Sequence, residues 1–414
     1  MNKPRDASSP AAASVLMLSA AAILMITMGA RQTTGLFVSP INTSTGLGIA
    51  SISFAVAVGQ FVWGAAQPVF GAVSDKYGSV PIIILGGILL ALGTALTPYM
   101  HTQWGLMLSL GLLAAAGAGA GSFSILIGAT AQRLPANRRS FAAGFINAGG
   151  SLGQFVFAPL MQFIIGGAGW VAAMLTLAAT TLLTIPLAWP LRAGAAAKSA
   201  AAAHGSTTAA PGIRVGEQLA VACRDRNFLF LNAGFFTCGF HIAFLVTHLP
   251  GEVQLCSLPA TVASTSLAII GLFNIAGSLS AGALGQRYRM KSLLSLMYGS
   301  RAVIICLYLL APKTPVTFYL FAAALGFTWL ATVPPTAGLV GKLFGMRYLS
   351  MLFGLTLLSH QIGGFLGAWL GGLALERNGD YQWMWYADIL LASAAALINL
   401  PIREARLAPA AVAT

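Results

Sequence analysis

The sequence predicts an all-α membrane protein of twelve transmembrane helices, arranged as two pseudo-symmetric six-helix bundles. Three observations predict it. The 414 residues are 57% hydrophobic and only 7% charged, with a mean hydropathy of +0.82. No water-soluble domain hides that much apolar surface. The apolar residues fall in about twelve stretches of roughly the 20 residues that cross a bilayer, and the runs are continuous rather than alternating, which excludes a transmembrane barrel. Finally, the chain repeats itself. Gly29, Arg31 and Pro40 recur as Gly239, His241 and Pro250, and Phe141 and Gly144 as Met351 and Gly354. Gly71, Asp75 and Tyr77 pair at a similar offset with Gly282, Gln286 and Tyr288. Two similar halves in one membrane chain point to alternating access.

The elements follow in order. An initial polar segment precedes the first span, roughly 14–38, which is too long for a cleavable leader and doubles as the insertion signal. The second span (about 52–74) ends at the loop Gly71–Gly78, and the third (about 80–99) follows directly. The fourth, about 104–131, carries the small-residue run Ala114–Ser122, the fifth (about 140–165) follows the paired Arg138 and Arg139, and the sixth is about 168–191. Residues 193–225 are rich in Ala, Ser and Thr with Pro211 and Gly212, as in a flexible linker, and the part from Gly216 to Asp225 suits a surface helix. The second half repeats the plan at about 227–250, 260–285, 292–311, 315–341, 349–375 and 382–402. The expected division is a bundle over 1–192, a cytoplasmic linker over 193–225 and a bundle over 226–414. All other connections are short, so no soluble catalytic domain fits.

The chain has 22 Lys and Arg against 9 Asp and Glu, a net charge of +13. Almost all the basic residues fall in the tails and even-numbered loops. The exceptions are Lys313 and Arg377 in odd-numbered loops, and Arg31 and Arg301 within helices. This is the positive-inside pattern: it puts both termini in the cytoplasm and accounts for the charge without a nucleic-acid partner. High Ala and Gly with short loops suggest a bacterial inner membrane. Cys223, Cys238, Cys256 and Cys306 lack metal-ligand spacing. No Walker-type loop is present, so ATP is not the expected energy source, and no metal or cofactor is expected. No nucleophile–base pair appears, so no enzyme is expected.

The loop Gly71, Asp75, Lys76, with its copy at Gly282–Lys291, resembles the signature of the major facilitator superfamily, and the resemblance covers nearly the whole chain. Arg138-Arg139, Ala143-Gly144, Ala148-Gly149 and Gly153 resemble the fifth-helix motif of the monocarboxylate transporter family, to which the oxalate/formate antiporters are related. Two features depart from that family. The first-helix motif of its animal members is absent, and the eighth helix has Asn274 followed one turn later by Ser278, where members carry a carboxylate-binding arginine. The resemblance implies the major facilitator fold, a path lined by the fifth and eleventh helices, and a cytoplasmic gate at Asp75, Lys76 and Arg133.

Arg31 is the first candidate for substrate binding. A cation inside a span costs about 2.5–3.5 kcal/mol on insertion scales, so it should face a cavity or a partner. No Asp or Glu lies in a first-half span to neutralise it. A guanidinium fork then suits a substrate carboxylate; the alternative is an arginine capping carbonyls near the outer surface. His241, its repeat counterpart, is expected to face the same cavity and either hold substrate or accept a proton. The alternative for His241 is a neutral ring bonded between helices. Asn274, His360 and Gln361 complete the substrate candidates, and His248 is expected at the outer rim. Arg301 and Asp388 are expected to form a structural ion pair, with Asp388 as proton carrier the sharper alternative. The glycines admit two readings, static packing or sliding faces.

These expectations describe a secondary transporter of a small organic anion, a monocarboxylate by resemblance, working by alternating access with proton symport, as a monomer in the bilayer. The alternatives are an efflux antiporter for an aromatic acid or amphipathic drug and, from another class, a non-transporting membrane sensor.

Overall fold

The computed structural model describes residues 10–131, 133–134, 136–192, 215–344 and 349–404. Residues 193–214 of the expected linker lie outside them. Helix α1 is Pro10–Gln32, continued after a short turn by Gly35–Thr45. Helices α2 (Ile49–Tyr77) and α3 (Ser79–Leu96) follow. Helix α4 is composite: Gln103–Leu106, a π-helical stretch Met107–Ala114, then Ala115–Ala120 and Phe123–Ala131. Helices α5 and α6 are the two limbs of Ala136–Thr181, which bends at Gly169, where φ is 86°. Only glycine enters that region without strain, so Gly169 is where one span ends and the next begins.

A short helix, Val215–Arg224, precedes α7 (Arg226–Leu255), whose first turn is capped by Asp225 accepting from the Phe228 amide at 2.9 Å. Then come α8 (Ala260–Arg287), α9 (Met290–Leu310) and α10, split into Pro315–Thr328 and Val333–Phe344. Helices α11 (Leu349–Asn378) and α12 (Gln382–Asn399) end the fold. Ten described segments are long and apolar enough to cross a membrane. One of them, Gly144–Leu191, holds both α5 and α6, and the less apolar α12 brings the total to the twelve spans expected.

The packing is pseudo-symmetric. Inside the first half α1 lies along α5, and inside the second α7 lies along α11. Glycine makes both seams. A side chain at Gly153 would collide with the Met25 carbonyl, and one at Gly363 with the Phe236 carbonyl. These glycines are therefore static packing: they let backbones touch where lipid supplies no hydrophobic drive.

Between the halves, α2 lies on α11 and α5 on α8. The end remote from the termini is closed. There Gly35 abuts the backbone of Val246 and Thr247, Ser53 fills the space beside Gly372, the Ala50 amide donates to Glu376 at 3.2 Å, and Phe54 meets Phe365 and Trp369 edge-on. At the opposite end, Gly71, Gly144, Gly282 and Gly354 have open space where a side chain would stand. Of the two ends, the one remote from Pro10 and Glu404 is thus the one seen packed shut between the halves. A valine at Gly35 should prop the closed end apart. In a chain stripped of native cysteines, a reporter cysteine at Ser53, which is fully buried here, should then react with a thiol reagent about tenfold faster. Unchanged labelling would mean that this contact does not hold the end shut.

Helices α4 and α10 break at matching places in the repeat, α4 at Gly121–Ser122 and α10 over Trp329–Thr332. Pro334 and Pro335 open the second piece of α10 and carry no N–H for the carbonyls one turn back. The interruptions thus fall at equivalent places in the two halves, at mid-span.

Candidate functional site

In the first half, Arg31 ends the first piece of α1. Its guanidinium donates to the Gln60 side-chain oxygen and stands 4.1 Å over the Trp63 ring. No acidic partner meets it among the described residues. Beside it is a small cavity of about 60 Å³ with Thr34 and Thr94 as its other polar walls and Val56, Leu90, Met174 and Leu177 among its apolar ones. Every lining residue belongs to the first half. The arrangement is a fork of donors facing an apolar chamber, held only by neutral groups.

Sequence reasoning missed Gln60, although the signal was there. Gln60, Trp63 and Gln67 recur every three or four residues in an apolar helix, which places them on one face. Buried polar atoms without partners, Trp63 Nε1 and Gln67 Nε2, mark the same stripe.

In the second half, His241 Nδ1 is hydrogen-bonded to Asp388 Oδ2, with the two side chains 1% and 0% exposed. The imidazole meets Trp329 edge-on at 5.9 Å. Arg301, also buried, donates through Nη2 to the carbonyls of Thr328 and Trp329 and through Nη1 to Cys238 Sγ at 3.4 Å. The expected Arg301–Asp388 ion pair is therefore not formed. The break in α10 strands carbonyls in an apolar interior, and the arginine caps them as a cation at a helix C-terminus does. His241 takes the carboxylate instead. His248, expected at the rim, is 2% exposed and bonded to the Ala368 carbonyl at 2.7 Å, because α11 and the continuation of α1 cover that part of α7.

Arg31 and His241, expected in one cavity, are not brought together. Each turns into its own half, toward Gln60 and Trp63 in one case and toward Asp388 and Trp329 in the other. The remaining candidates lie at the seams. Asn274 donates to Ser151 Oγ across the α5–α8 seam at 2.9 Å, and its oxygen accepts from the Leu330 amide at 3.0 Å and the Ser278 hydroxyl at 3.3 Å. Gln361 lies on Gly64 across the α2–α11 seam, hydrogen-bonded to His360 at 3.2 Å, with its own Oε1 unpartnered. His360 also faces Phe235 at 4.9 Å. Gln154, buried in α5, has neither amide atom satisfied. Unsatisfied buried amides are costly, and here they collect where the halves meet.

Of the gate candidates, the side chains of Asp75 and Lys76 lie outside the described residues. Arg133, in the loop after α4, donates to the carbonyls of Pro190 and Leu191 at 2.8 and 2.7 Å, which ties the loop to the 3-10 turn Trp189–Leu191 that follows α6 in the same half. Partial burial there lowers its pKa from the ordinary arginine value. No group of three or more His, Cys, Asp or Glu that could hold a metal ion occurs among the described residues.

A family model described as the Major Facilitator Superfamily matches residues 20–368. The chain is 30% identical over 363 residues to monocarboxylate transporter 13 of Bos taurus, covering 85% of this chain and 80% of that protein. It is 25% identical over 366 residues to the oxalate:formate antiporter of Oxalobacter formigenes, covering 87% and 84%. Among solved structures, a D-xylose-proton symporter superposes with a TM-score of 0.75 at 14% identity, covering 96% of this chain and 99% of that one. A bacterial homologue of the human lysosomal transporter Spinster, in an inward-facing and unoccupied conformation, superposes with a TM-score of 0.68 at 13% identity and 95% coverage of both chains.

Proposed function

The chain belongs to the Major Facilitator Superfamily and is an integral membrane transporter, and on that premise we propose that it carries a small organic anion, a monocarboxylate, together with a proton. The observation that carries this reading is Arg31: a half-buried arginine whose partners are an amide oxygen and an aromatic face rather than an acid. Gln60 acts as a neutral placeholder. An incoming carboxylate takes over its hydrogen bond and adds the Coulomb attraction that an amide cannot supply. The apolar walls take the hydrocarbon end, and the small cavity favours a short chain. The names of the relatives, monocarboxylate transporter and oxalate:formate antiporter, support a carboxylate.

With both termini in the cytoplasm, as the basic loops indicate, the closed end faces outward. Transport then requires rocking along the α2–α11 and α5–α8 seams so that the closed end parts. A bound anion moves this equilibrium only through unequal affinity for the two states. Proton symport fits an anion carrier because it lets the cargo cross as a neutral sum.

The test is uptake of labelled lactate and labelled oxalate by proteoliposomes, with and without an inward proton gradient. Saturable lactate uptake that the gradient raises above equilibrium supports the reading. Export of aromatic acids or dyes with no lactate movement would replace it with an efflux carrier.

A further inference from the structure

We propose that the coupling proton is carried by His241 and Asp388 acting as one unit, in the opposite half from the arginine that anchors the anion. The proposal rests on the reading of the protein as a proton-coupled anion carrier and adds to it where the proton sits.

Four observations place the proton there. The pair spans α7 and α12 and is shut off from solvent, with one hydrogen bond joining Nδ1 to Oδ2. The two outer atoms of the pair, His241 Nε2 and Asp388 Oδ1, have no partner although both are buried. A group built only for structure would have them satisfied. Trp329, the residue at which α10 breaks, lies edge-on to the imidazole, so the cover over the pair sits where the helix is interrupted. Lastly, the cavity at Arg31 has no wall in the second half, so anion and proton do not compete for the same atoms.

The chemistry is a simple protonation. With Nδ1–H donated to the carboxylate, the free lone pair is on Nε2. A hydronium ion gives its proton there: one O–H bond breaks, leaving water, one N–H bond forms, and the pair passes from a neutral ring beside a carboxylate to an imidazolium–carboxylate pair. The same bond breaks on release to water at the other face. The net charge of the unit goes from −1 to 0, and the carboxylate stabilises the imidazolium while loaded.

The surrounding groups allow this. Arg301 and Tyr298 come from α9, Cys238 from α7 itself and His360 from α11, whereas α10 contributes the uncharged Trp329 and Thr332. Arg301 is held by carbonyls and a sulfur, so its charge stands in the bundle without a carboxylate of its own. The unloaded pair supplies the opposite charge within the same half.

Two measurements on the full chain in lipid decide it. Without any cargo, a pH titration of tryptophan fluorescence should show a quenching step as the imidazolium forms beside Trp329, and His241→Gln should abolish it. Glutamine keeps a hydrogen-bond donor for Asp388, so the fold is expected to survive. With labelled lactate, Asp388→Asn should lower accumulation driven by a proton gradient at least tenfold and affect lactate counterflow far less, since counterflow needs no net proton movement. A titration step that persists in His241→Gln, or gradient-driven accumulation that persists in Asp388→Asn, overturns the proposal. If the unmodified protein moves no lactate in either mode, the anion reading fails by itself, and the cargo-free titration still decides where the proton binds.

Discussion

Replacing Arg31 by alanine is expected to lower carboxylate uptake about a hundredfold, a loss of roughly 3 kcal/mol of charge-assisted hydrogen bonding, and to leave thermal stability unchanged or higher. The second half of this expectation distinguishes a binding role from a structural one. A guanidinium in an apolar interior carries a desolvation penalty that neutral groups offset only in part. Gln60 and Trp63 are neutral, so removing the charge relieves the fold while depriving the cargo of its anchor. Arg31→Lys should fall between the two, since it keeps the charge and loses the planar fork. Uptake and melting temperature measured on the same preparations settle it. If the variant loses both together, Arg31 is holding the helices rather than the anion.

Gly153→Val is expected to destabilise the first half by on the order of 3 kcal/mol, because the added methyl groups meet backbone that cannot rotate away. The atoms struck are the Met25 carbonyl and the Gly29 amide on α1. Gly363→Val should do the same to the second half, against Phe236 and Phe240. Gly166→Val is the matched control: it lies on the same helix as Gly153 and has open space around it. Thermal melts followed by size-exclusion chromatography in detergent should show both seam variants falling and the control holding. Equal behaviour of Gly153→Val and Gly166→Val would mean that the seam tolerates a spread of the helices.

Much of this was legible in the chain. Continuous apolar runs announce spanning helices, because a bilayer leaves the backbone no partner but itself. The recurrence of Gly29 as Gly239 and of Gly144 as Gly354 announces two equivalent halves, and in the structure Gly29 and Gly239 both lie in the seams, against Gly153 and His360. The exceptional residues were also visible, because an arginine, histidine or aspartate in a span is conspicuous against so apolar a background.

Their partners were not legible. By depth in the sequence Asp388 pairs with Arg301, the other deep charge, whereas the structure gives it to His241 and gives Arg301 to the carbonyls of Thr328 and Trp329. A sequence shows that a helix contains prolines; it does not show which orphaned carbonyls a neighbour will reach. The same holds for the glycines. Gly153 and Gly35 read alike in sequence, yet one sits in a seam within a half and the other in a contact between halves.

By itself, then, the sequence determined the class of the protein, its twelve spans, its duplication and the short roll of ionisable groups inside the spans, since these follow from the cost of polar groups in hydrocarbon and depend on composition and order alone. Only the tertiary structure decided which of those groups meet, which end of the cleft is shut, and that Arg31 and His241 turn into separate halves. Those outcomes depend on the rotation of each helix about its axis and on where α4 and α10 break, which are set by contacts among residues far apart in the chain.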